Sequence, residues 1–409
     1  MTSRLAFIVL LFLGLAVPGA AQASDPGRFH VESVLVEGVE RDAAREIVAA
    51  TSLLVPGRDY AERQLREAVY RVKRLPFVLD AGYSLRPGVE PGSHQVVITI
   101  RPAEAFFASL EAAGLTSGDE TGDGDRVDGS LSASAGGRWF VGSQGLLAGS
   151  VRGLDDGGVQ LAQVGYTHYD LFGRGGFARL ALETNLDDRS WGGSYRSSTL
   201  TLGVPLVGNQ AIQADLGWSR SERDGDFSQT STSHTGSLEW ILDTTDDPLF
   251  PASGFRVTGR GTLSATAATY DDDGHSGSED QETWGTALGA RRYWTLTPRQ
   301  SIGAELSADW SRWTSDGFSG RLDQAKAGIG ISHALDLWRV RTAERTRDLR
   351  WESRLTFTSE RTTSPNERFT LTGAALATGV TFRSAWGLSR LTFTYVDTLE
   401  EDVQLRGGR

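Results

Sequence analysis

Apolar and polar residues alternate strictly in short segments of the chain, from about residue 104 to residue 396. In residues 254–264, Phe255, Val257 and Leu263 share one face, and the alternate positions carry Arg, Thr and Ser. A period of two is the side-chain period of a β-strand, so one face of each strand is apolar and the other polar. Many such segments without an intervening helical pattern predict a closed sheet with lipid outside and water or polar side chains inside.

Fifteen segments follow this pattern, and we predict a strand in each. If the first strand leads away from the periplasm, the connections on the far side are long and acidic, as in residues 266–282, and most near-side connections are short. This asymmetry is typical of outer-membrane barrels. Residues 337–349 form a long, basic near-side connection that breaks it. The predicted strands lie near residues 104–113, 129–136, 144–152, 159–169, 176–186, 196–204, 211–220, 233–242, 254–265, 283–294, 301–312, 324–335, 349–359, 370–384 and 389–396.

The first residues have the pattern of a secretory signal peptide. Arg4 precedes an apolar run from Leu5 to Val17, and the small-residue site Ala21-Gln22-Ala23 follows. The run is too short to span a bilayer as a helix, so we expect residues 1–23 to be removed on export.

Between the signal peptide and the barrel we predict one small domain over residues 28–102. Its pattern is strand, helix, helix, strand, strand, at residues 31–37, 41–50, 61–74, 78–85 and 95–100. In the second helix Leu65, Ala68, Val69 and Val72 form one apolar stripe. Two helices that cover one face of a sheet give a sound small core.

The chain is therefore predicted to be a mainly β protein of the bacterial-type outer membrane. We expect a transmembrane antiparallel β-barrel of about 14–16 strands over residues 103–409, preceded by the small β-α-α-β-β domain in the periplasm. Membrane lipids are then its first partners. All eleven Trp residues lie at or after Trp139, as expected if aromatic residues mark the membrane interfaces of the barrel.

Composition and residue spacing argue against several other functions. The chain has no Cys and a formal net charge of −11, which does not favour nucleic acid as a partner. The six His residues are scattered, and no nucleophile or paired-carboxylate signature stands out, so we expect no catalytic residues, no metal and no cofactor. The carboxylates of Asp119, Asp123, Asp125 and Asp128 could suit calcium, but a solvated acidic loop is the favoured interpretation.

Two stretches resemble a known superfamily. The small domain has Val36-Glu37-Gly38 at the end of its first strand, Pro56-Gly57 between its helices and Leu75-Pro76-Phe77 before its second strand. In these features it resembles a POTRA domain, the periplasmic module in front of barrels of the BamA/TamA/FhaC superfamily. The segment DTTDDPLFPASGFRV resembles a turn of the same barrels, with Asp247, Pro251 and Gly254 on the pattern.

The resemblance implies a factor that inserts barrels into the outer membrane or moves polypeptides across it, and not an enzyme. Its implied partners are unfolded outer-membrane or secreted polypeptides, with periplasmic chaperones or accessory lipoproteins. An edge strand of the POTRA-like domain would capture a partner strand, and the first barrel strand would form a seam with the last. The residues expected at the edge strand are Phe77, Leu79, Tyr83 and Leu85; those expected at the seam are Phe106, Ala108 and Leu110.

The sequence also departs from the superfamily, which leaves other functions open. Its Arg-Gly-aromatic loop motif is not found; Val151-Arg152-Gly153 has similar letters, but we interpret it as a turn between strands. Residues 397–409 follow the last predicted strand where such barrels usually finish on an aromatic residue. A passive outer-membrane channel or a two-partner secretion transporter are the alternatives, and a barrel-borne hydrolase is a third that no motif supports.

Overall fold

The computed structural model of the protein describes residues 27–117, 126–154, 159–171, 173, 175–185, 193–206, 209–223, 227–272, 275–316, 321–341, 346–365 and 367–405. These residues form a four-stranded sheet with two helices, followed by a closed barrel of fifteen strands. The predicted mainly β barrel fold with a small domain in front of it is confirmed.

The N-terminal domain is a mixed sheet with the strand order β2-β1-β4-β3. Strands β1 and β4 are parallel, and the other two pairs are antiparallel. The short strand β2 has no counterpart in the sequence-based prediction. The elements are β1 Phe29–Glu37, α1 Asp42–Ser52, β2 Arg58–Tyr60, α2 Glu62–Val72, β3 Val78–Pro87 and β4 Ser93–Pro102.

The helices bury their apolar faces against one side of this sheet. The predicted stripe on α2 is correct, because Leu65, Ala68 and Val72 are fully buried and Val69 nearly so. Their neighbours include Ile47 of α1 and the inward residues of β4. Burial of these side chains, at about 25 cal/mol per Å² of apolar surface, is the main stabilising contribution to the domain.

The fifteen barrel strands correspond one to one with the fifteen predicted strands, and most are longer than predicted. Alternate residues along them are exposed and apolar, as with Leu263 (67% exposed) and Ile331 (60%). None of the helices in the described ranges is long and apolar enough to cross a membrane. The barrel strands are β5 Phe106–Ser117, β6 Arg126–Val141, β7 Gly145–Leu154, β8 Val159–Leu171, β9 Gly176–Asn185, β10 Gly193–Pro205, β11 Gln210–Arg223, β12 Phe227–Asp243, β13 Gly254–Asp272, β14 His275–Thr297, β15 Gln300–Ser315, β16 Arg321–Arg341, β17 Thr346–Thr363, β18 Glu367–Ser384 and β19 Gly387–Leu405.

Three sequence-based interpretations of connecting segments are wrong. Residues 337–349 are not simply a long connection, because Trp338 pairs with Leu349 and Arg341 with Thr346, which extends the hairpin. The Val151-Arg152-Gly153 segment lies within β7 rather than in a turn. Residues 397–405 continue β19 beyond its predicted end. In each case main-chain pairing with a neighbouring strand prevails over a polar composition that resembles a loop.

Candidate functional site

The barrel closes where its first strand meets its last, and this seam shares with the β9–β10 joint the smallest number of residue pairs in the described ranges. Strand β19 runs parallel to β5, and only the eight residues Ser389–Val396 pair across the seam, with Leu110–Ser117. On its other side β19 pairs antiparallel with β18 through eighteen residue pairs. Nineteen pairs join β13 to β14. The seam therefore has fewer than half the pairs of these two joints.

The parallel pairing at the seam follows from the strand count. Each barrel strand runs antiparallel to the next, so with fifteen strands the first and the last must point the same way. Parallel pairs have slanted hydrogen bonds and are slightly less stable per residue than antiparallel pairs. The seam is thus weaker in geometry as well as in length.

The residues expected at the seam lie on β5, at the end of the barrel next to the N-terminal domain, which we call the proximal rim. Phe106 (60% exposed) and Leu110 (49%) are outward-facing apolar side chains. The Ala108 amide donates to the Trp386 carbonyl at 2.9 Å, and the Glu104 amide donates to Ala385 at the same distance. The β18–β19 turn therefore closes the proximal end of the seam.

The far end of the seam is open within the described residues. Beyond Val396, strand β19 continues through residues 397–405 and pairs there with β18 alone. Its other main-chain edge has no strand partner in the described ranges. This overhang of β19 includes Asp397, Glu400 and Asp402. An unpaired edge of this kind can template another strand.

A second feature of the proximal rim is the connection between β12 and β13, residues 244–253, which we call the lumen turn. Its residues contact two inward-facing side chains of the barrel wall, Arg350 of β17 and Arg383 of β18. Arg383 of β18 donates to both carboxylate oxygens of Asp247, at 3.0 and 2.9 Å, and its Nε donates to Asp348 at 3.0 Å. Arg383 and both carboxylates are almost fully buried.

Aromatic and main-chain contacts hold the lumen turn in the same place. Phe250 is 5% exposed, and the guanidinium carbon of Arg383 lies 4.6 Å from its ring centroid. Arg350 of β17 donates to the Pro251 carbonyl at 2.9 Å and to the Ser301 hydroxyl at 2.8 Å. Arg383 is thus matched by two carboxylates, as burial of charge requires, whereas Arg350 donates to two neutral oxygens and its buried Nε has no hydrogen-bond partner among the described residues.

The three residues of the predicted turn motif have separate structural roles here. Asp247 accepts hydrogen bonds from the Leu249 and Phe250 amides, and Pro251 offers its carbonyl to Arg350. Gly254 has a φ of +99°, and a Cβ there would stand 2.4 Å from the Thr244 carbonyl oxygen. Burial raises the pKa of Asp247, but the Arg383 charge and the two amides outweigh burial and hold that pKa below its ordinary value.

The N-terminal domain is docked on the proximal rim through apolar contacts. Phe77, which the sequence suggested for partner capture, packs edge-on against Phe140 at the end of β6, with ring centroids 5.0 Å apart. Leu146 and Tyr169 belong to the same buried cluster as the core of the domain. Gly175 has a φ of +67°, and a Cβ there would lie 2.6 Å from the side chain of Leu53, the residue that follows α1.

Polar contacts join the end of α2 to the lumen turn and its flanks. Arg74 forms an ion pair with Asp243 at 2.8 Å, and Lys73 donates to the Asp246 carbonyl at 3.5 Å. Arg71 donates to Asn209 in the β10–β11 connection at 3.3 Å. A continuous set of contacts therefore runs from the domain through the lumen turn to Arg383, one strand away from the seam.

Strand β3 lies at an edge of its sheet, since it pairs only with β4. The side chains of Tyr83 and Leu85 pack against the core of their own domain, and Leu79 is half-buried. What β3 offers to a partner is thus its main-chain edge.

Among the described residues no group of three or more His, Asp and Glu could hold a metal. The acidic residues 119, 123 and 125 lie outside the described residues, as does the side chain of Asp128.

Several functional contacts were missed by sequence reasoning. Arg383, Asp348 and Arg350 occupy inward positions of strands, where a charged residue is ordinary for a hydrated lumen. In the sequence, Phe140 follows Trp139 and cannot be told apart from an aromatic residue at the membrane interface. The usable signal was the density of carboxylates in the segment DTTDDP, because buried acids at a turn require cations elsewhere in the chain.

No protein-family model matches this chain, and no curated protein sequence matches it. The fold is similar to BamA from Haemophilus ducreyi lacking POTRA domains 1–3, at 12% identity and a TM-score of 0.40, covering 91% of this chain and 85% of that chain. It is also similar to CdiB from Acinetobacter baumannii, at 9% identity and a TM-score of 0.41, covering 87% and 68%. For CdiB from Escherichia coli the identity is 10%, the TM-score 0.38 and the coverage 95% and 91%. Because these scores are low, the proposals below rest on the geometry of this chain.

Proposed function

We propose that this protein is an outer-membrane barrel that inserts barrel proteins into the membrane or translocates polypeptides across it, with its N-terminal domain in the periplasm as a POTRA-type module. Its substrates are unfolded outer-membrane or secreted polypeptides. Outward-facing apolar side chains place the barrel strands in lipid. The proposed activity is strand exchange by main-chain hydrogen bonding, and it requires no catalytic residue.

The observation that carries this proposal is the short parallel seam. Opening it breaks the bonds of eight parallel residue pairs, as few as at the antiparallel β9–β10 joint and fewer than half of those between β18 and β19. In lipid, each unpaired main-chain group costs several kcal/mol, so an opened edge binds an incoming strand strongly. The β19 overhang already presents such an edge, and an extended polypeptide can add to it by antiparallel or parallel pairing.

The docked domain supports the same proposal, since it can deliver substrate to the seam. The free edge of β3 can pair with an extended polypeptide in the periplasm. The contacts from Arg74 through the lumen turn to Arg383 link the position of the domain to β18, which holds β19. Movement of the domain would therefore be transmitted to the seam.

Locking the seam tests the proposal directly. Because the chain contains no Cys, a pair can be introduced without background: Ala112→Cys with Leu391→Cys, two positions paired across the seam. The matched control is Val380→Cys with the same Leu391→Cys, paired across β18–β19. A reducible crosslinker joins each pair in protein reconstituted in vesicles, and assembly or uptake of an unfolded barrel substrate is measured.

We expect the seam crosslink to abolish activity, reduction to restore it, and the control crosslink to leave it intact. Full activity with the seam locked would reject strand exchange at this joint. Loss of activity with both crosslinks would show that the barrel wall must deform elsewhere.

A passive channel is the second candidate, and the charged side chains that line the lumen support it. Arg291 pairs with Glu305 at 2.9 Å, and Arg260 lies 3.9 Å from Asp215, all on inward faces. Charge reversal at Arg256 and Arg260 separates the two functions in planar bilayers and in the assembly assay. Altered ion selectivity with normal assembly would support the channel, whereas defective assembly would support the insertion factor.

A further inference from the structure

Inward-facing side chains at the proximal end of the lumen are buried, although those further inside are not. In the middle of the wall, the side chains of Arg260 and Arg291 are 46% and 49% exposed. At the proximal end, Leu146 is 2% exposed and Ser301 is 3% exposed. Because this burial extends over β7, β8, β12 and β15 to β18, it is not confined to one side of the lumen. The other buried residues of the group are Tyr169, Asp243, Ala334, Asp348, Arg350 and Arg383.

The N-terminal domain covers one side of this end. Its apolar partners on the barrel face inward, because Phe140 is adjacent to the outward-facing Trp139 and pairs directly with Leu146. Tyr169 and Phe177 are a second directly paired set that faces inward. These four inward-facing side chains belong to, or pack against, the buried cluster of the domain. The core of the domain therefore continues into the mouth of the lumen on the side of β6 to β9.

The lumen turn covers the other side. Its residue Phe250 lies between two cations of the wall, with the guanidinium carbons of Arg383 and Arg350 at 4.6 and 5.7 Å from its ring centroid. Arg350 also connects the Pro251 carbonyl to the Ser301 hydroxyl of β15. The turn is thus held against the wall from β15 to β18, and it buries the inward-facing residues there.

Two contacts join these two parts. Arg74 of the domain pairs with Asp243 at the end of β12, and Lys73 donates to the Asp246 carbonyl in the lumen turn. The neighbouring Asp247 is the residue that pairs with Arg383 on the opposite wall. The domain therefore cannot leave the rim without breaking these contacts or displacing the turn.

We propose that the docked domain and the lumen turn form a two-part plug that closes the proximal end of the lumen, and that undocking of the domain opens it. In the docked state, ions and small solutes do not pass this end of the barrel. Undocking exposes the inward-facing residues of β6 to β9 directly and loosens the turn through the contacts of Arg74 and Lys73. The plug serves an insertion factor and a channel alike, and it does not depend on opening of the seam.

Single cysteines test the plug in the full-length protein reconstituted in lipid nanodiscs. The chain contains no Cys, so Ser301→Cys reports on the buried proximal end without background. The matched control is Asp309→Cys, at an exposed inward position of the same strand. The rate of alkylation by a charged, water-soluble maleimide is measured for each probe, and single-channel conductance of the protein without probes is recorded in planar bilayers.

Both measurements are repeated in a docking variant, Phe140→Ala with Arg74→Gln, which removes one aromatic and one ionic contact of the domain. Its matched control is Trp139→Ala with Arg63→Gln, which changes the outward neighbour on β6 and an arginine of α2 whose side chain is 80% exposed. Heat-modifiable migration on gels confirms that each variant remains a folded barrel. Amide exchange in α1 reports whether the domain has undocked.

We expect the Ser301→Cys probe in the otherwise wild-type protein to react at least about tenfold more slowly than the Asp309→Cys probe, as burial requires. The docking variant should raise its rate and the open-channel fraction by about tenfold, since an aromatic pair and a partly buried ion pair are lost. The control variant should change neither quantity.

Equal rates for the two probes in the otherwise wild-type protein would overturn the plug, whatever the variants do. An undocked variant that conducts while the Ser301→Cys probe stays protected would reject the part assigned to the lumen turn. An undocked variant with unchanged conductance would reject the part assigned to the domain. Neither readout measures insertion or translocation of a polypeptide, so the plug and the seam are tested separately.

Discussion

At the scale of single residues, Asp247 links two parts of the proximal rim, the lumen turn and strand β18. It fixes the lumen turn through two main-chain amides and neutralises Arg383 on the far wall of the lumen. A buried ion pair adds little relative to an apolar pair of the same shape, but removing one partner leaves an uncompensated charge. The cluster therefore specifies the position of the turn, and its loss is costly.

We predict that Asp247→Asn destabilises the barrel by about 3 kcal/mol, since it leaves the buried Arg383 with one carboxylate instead of two. Chemical unfolding of the protein in detergent measures the change. Asp309→Asn, at an exposed lumen position, is the matched control and should change stability little. Equal stability of the two variants would mean that the lumen turn is held by Phe250 and main-chain contacts alone.

The same residue predicts a dependence on pH. The pKa of Asp247 in the folded protein is lower than its ordinary value of 3.8, so the ionised carboxylate stabilises the fold above that value. This contribution is lost as the pH falls below 3.8 and through the lowered pKa. The stability difference between the wild type and Asp247→Asn should thus be complete at neutral pH and shrink in strong acid. A difference that grows on acidification would show that the assigned direction of the pKa shift is wrong.

At the scale of elements, the docking of α1 and α2 on the rim distinguishes this domain from one on a free linker. Phe140 supplies the aromatic contact to Phe77, and its chain neighbour Trp139 points outward and is 43% exposed. We predict that Phe140→Ala weakens docking by about 1–2 kcal/mol, from the lost aromatic pair and its burial. Faster amide exchange in the loops that contact the rim is the readout, and Trp139→Ala should not produce it.

Elements were predictable to the extent that one face of each is buried or in lipid. Alternation located all fifteen barrel strands, because a slip of one residue would turn every side chain to the wrong face. Polar strand ends such as Arg339 to Arg341 were missed, since beyond the apolar belt both faces are wet and the alternation disappears. The short strand β2 was missed because three residues carry no period.

The candidate sites were less predictable than the elements. The turn motif of Asp247, Pro251 and Gly254 was found from sequence, but its partners Arg383, Asp348 and Arg350 were not. They come together only when the sheet closes, and closure brings β18 opposite a turn that lies more than a hundred residues earlier in the chain. Pairing register, which single-sequence patterns leave open, is what brings these residues together.

At the scale of the whole molecule, the barrel is uneven around its circumference. Long antiparallel pairings from β12 to β19 form one tall wall, whereas β5 to β9 are shorter and carry the docked domain at their proximal ends. The two regions meet at the parallel seam. If the barrel opens, it opens there, because that joint has as few residue pairs as the antiparallel β9–β10 joint and also has the weaker, parallel geometry.

Amide hydrogen exchange of the wild-type protein in lipid nanodiscs tests this central claim most directly, since it reports local opening without any substrate. We predict that the seam-facing amides of residues 110–117 and 389–396 exchange well before those between β13 and β14. The β18–β19 amides of the same strand should remain protected, which separates seam opening from fraying of β19 as a whole. Protection at the seam equal to that between β13 and β14 would contradict the account and leave the closed channel as the better description.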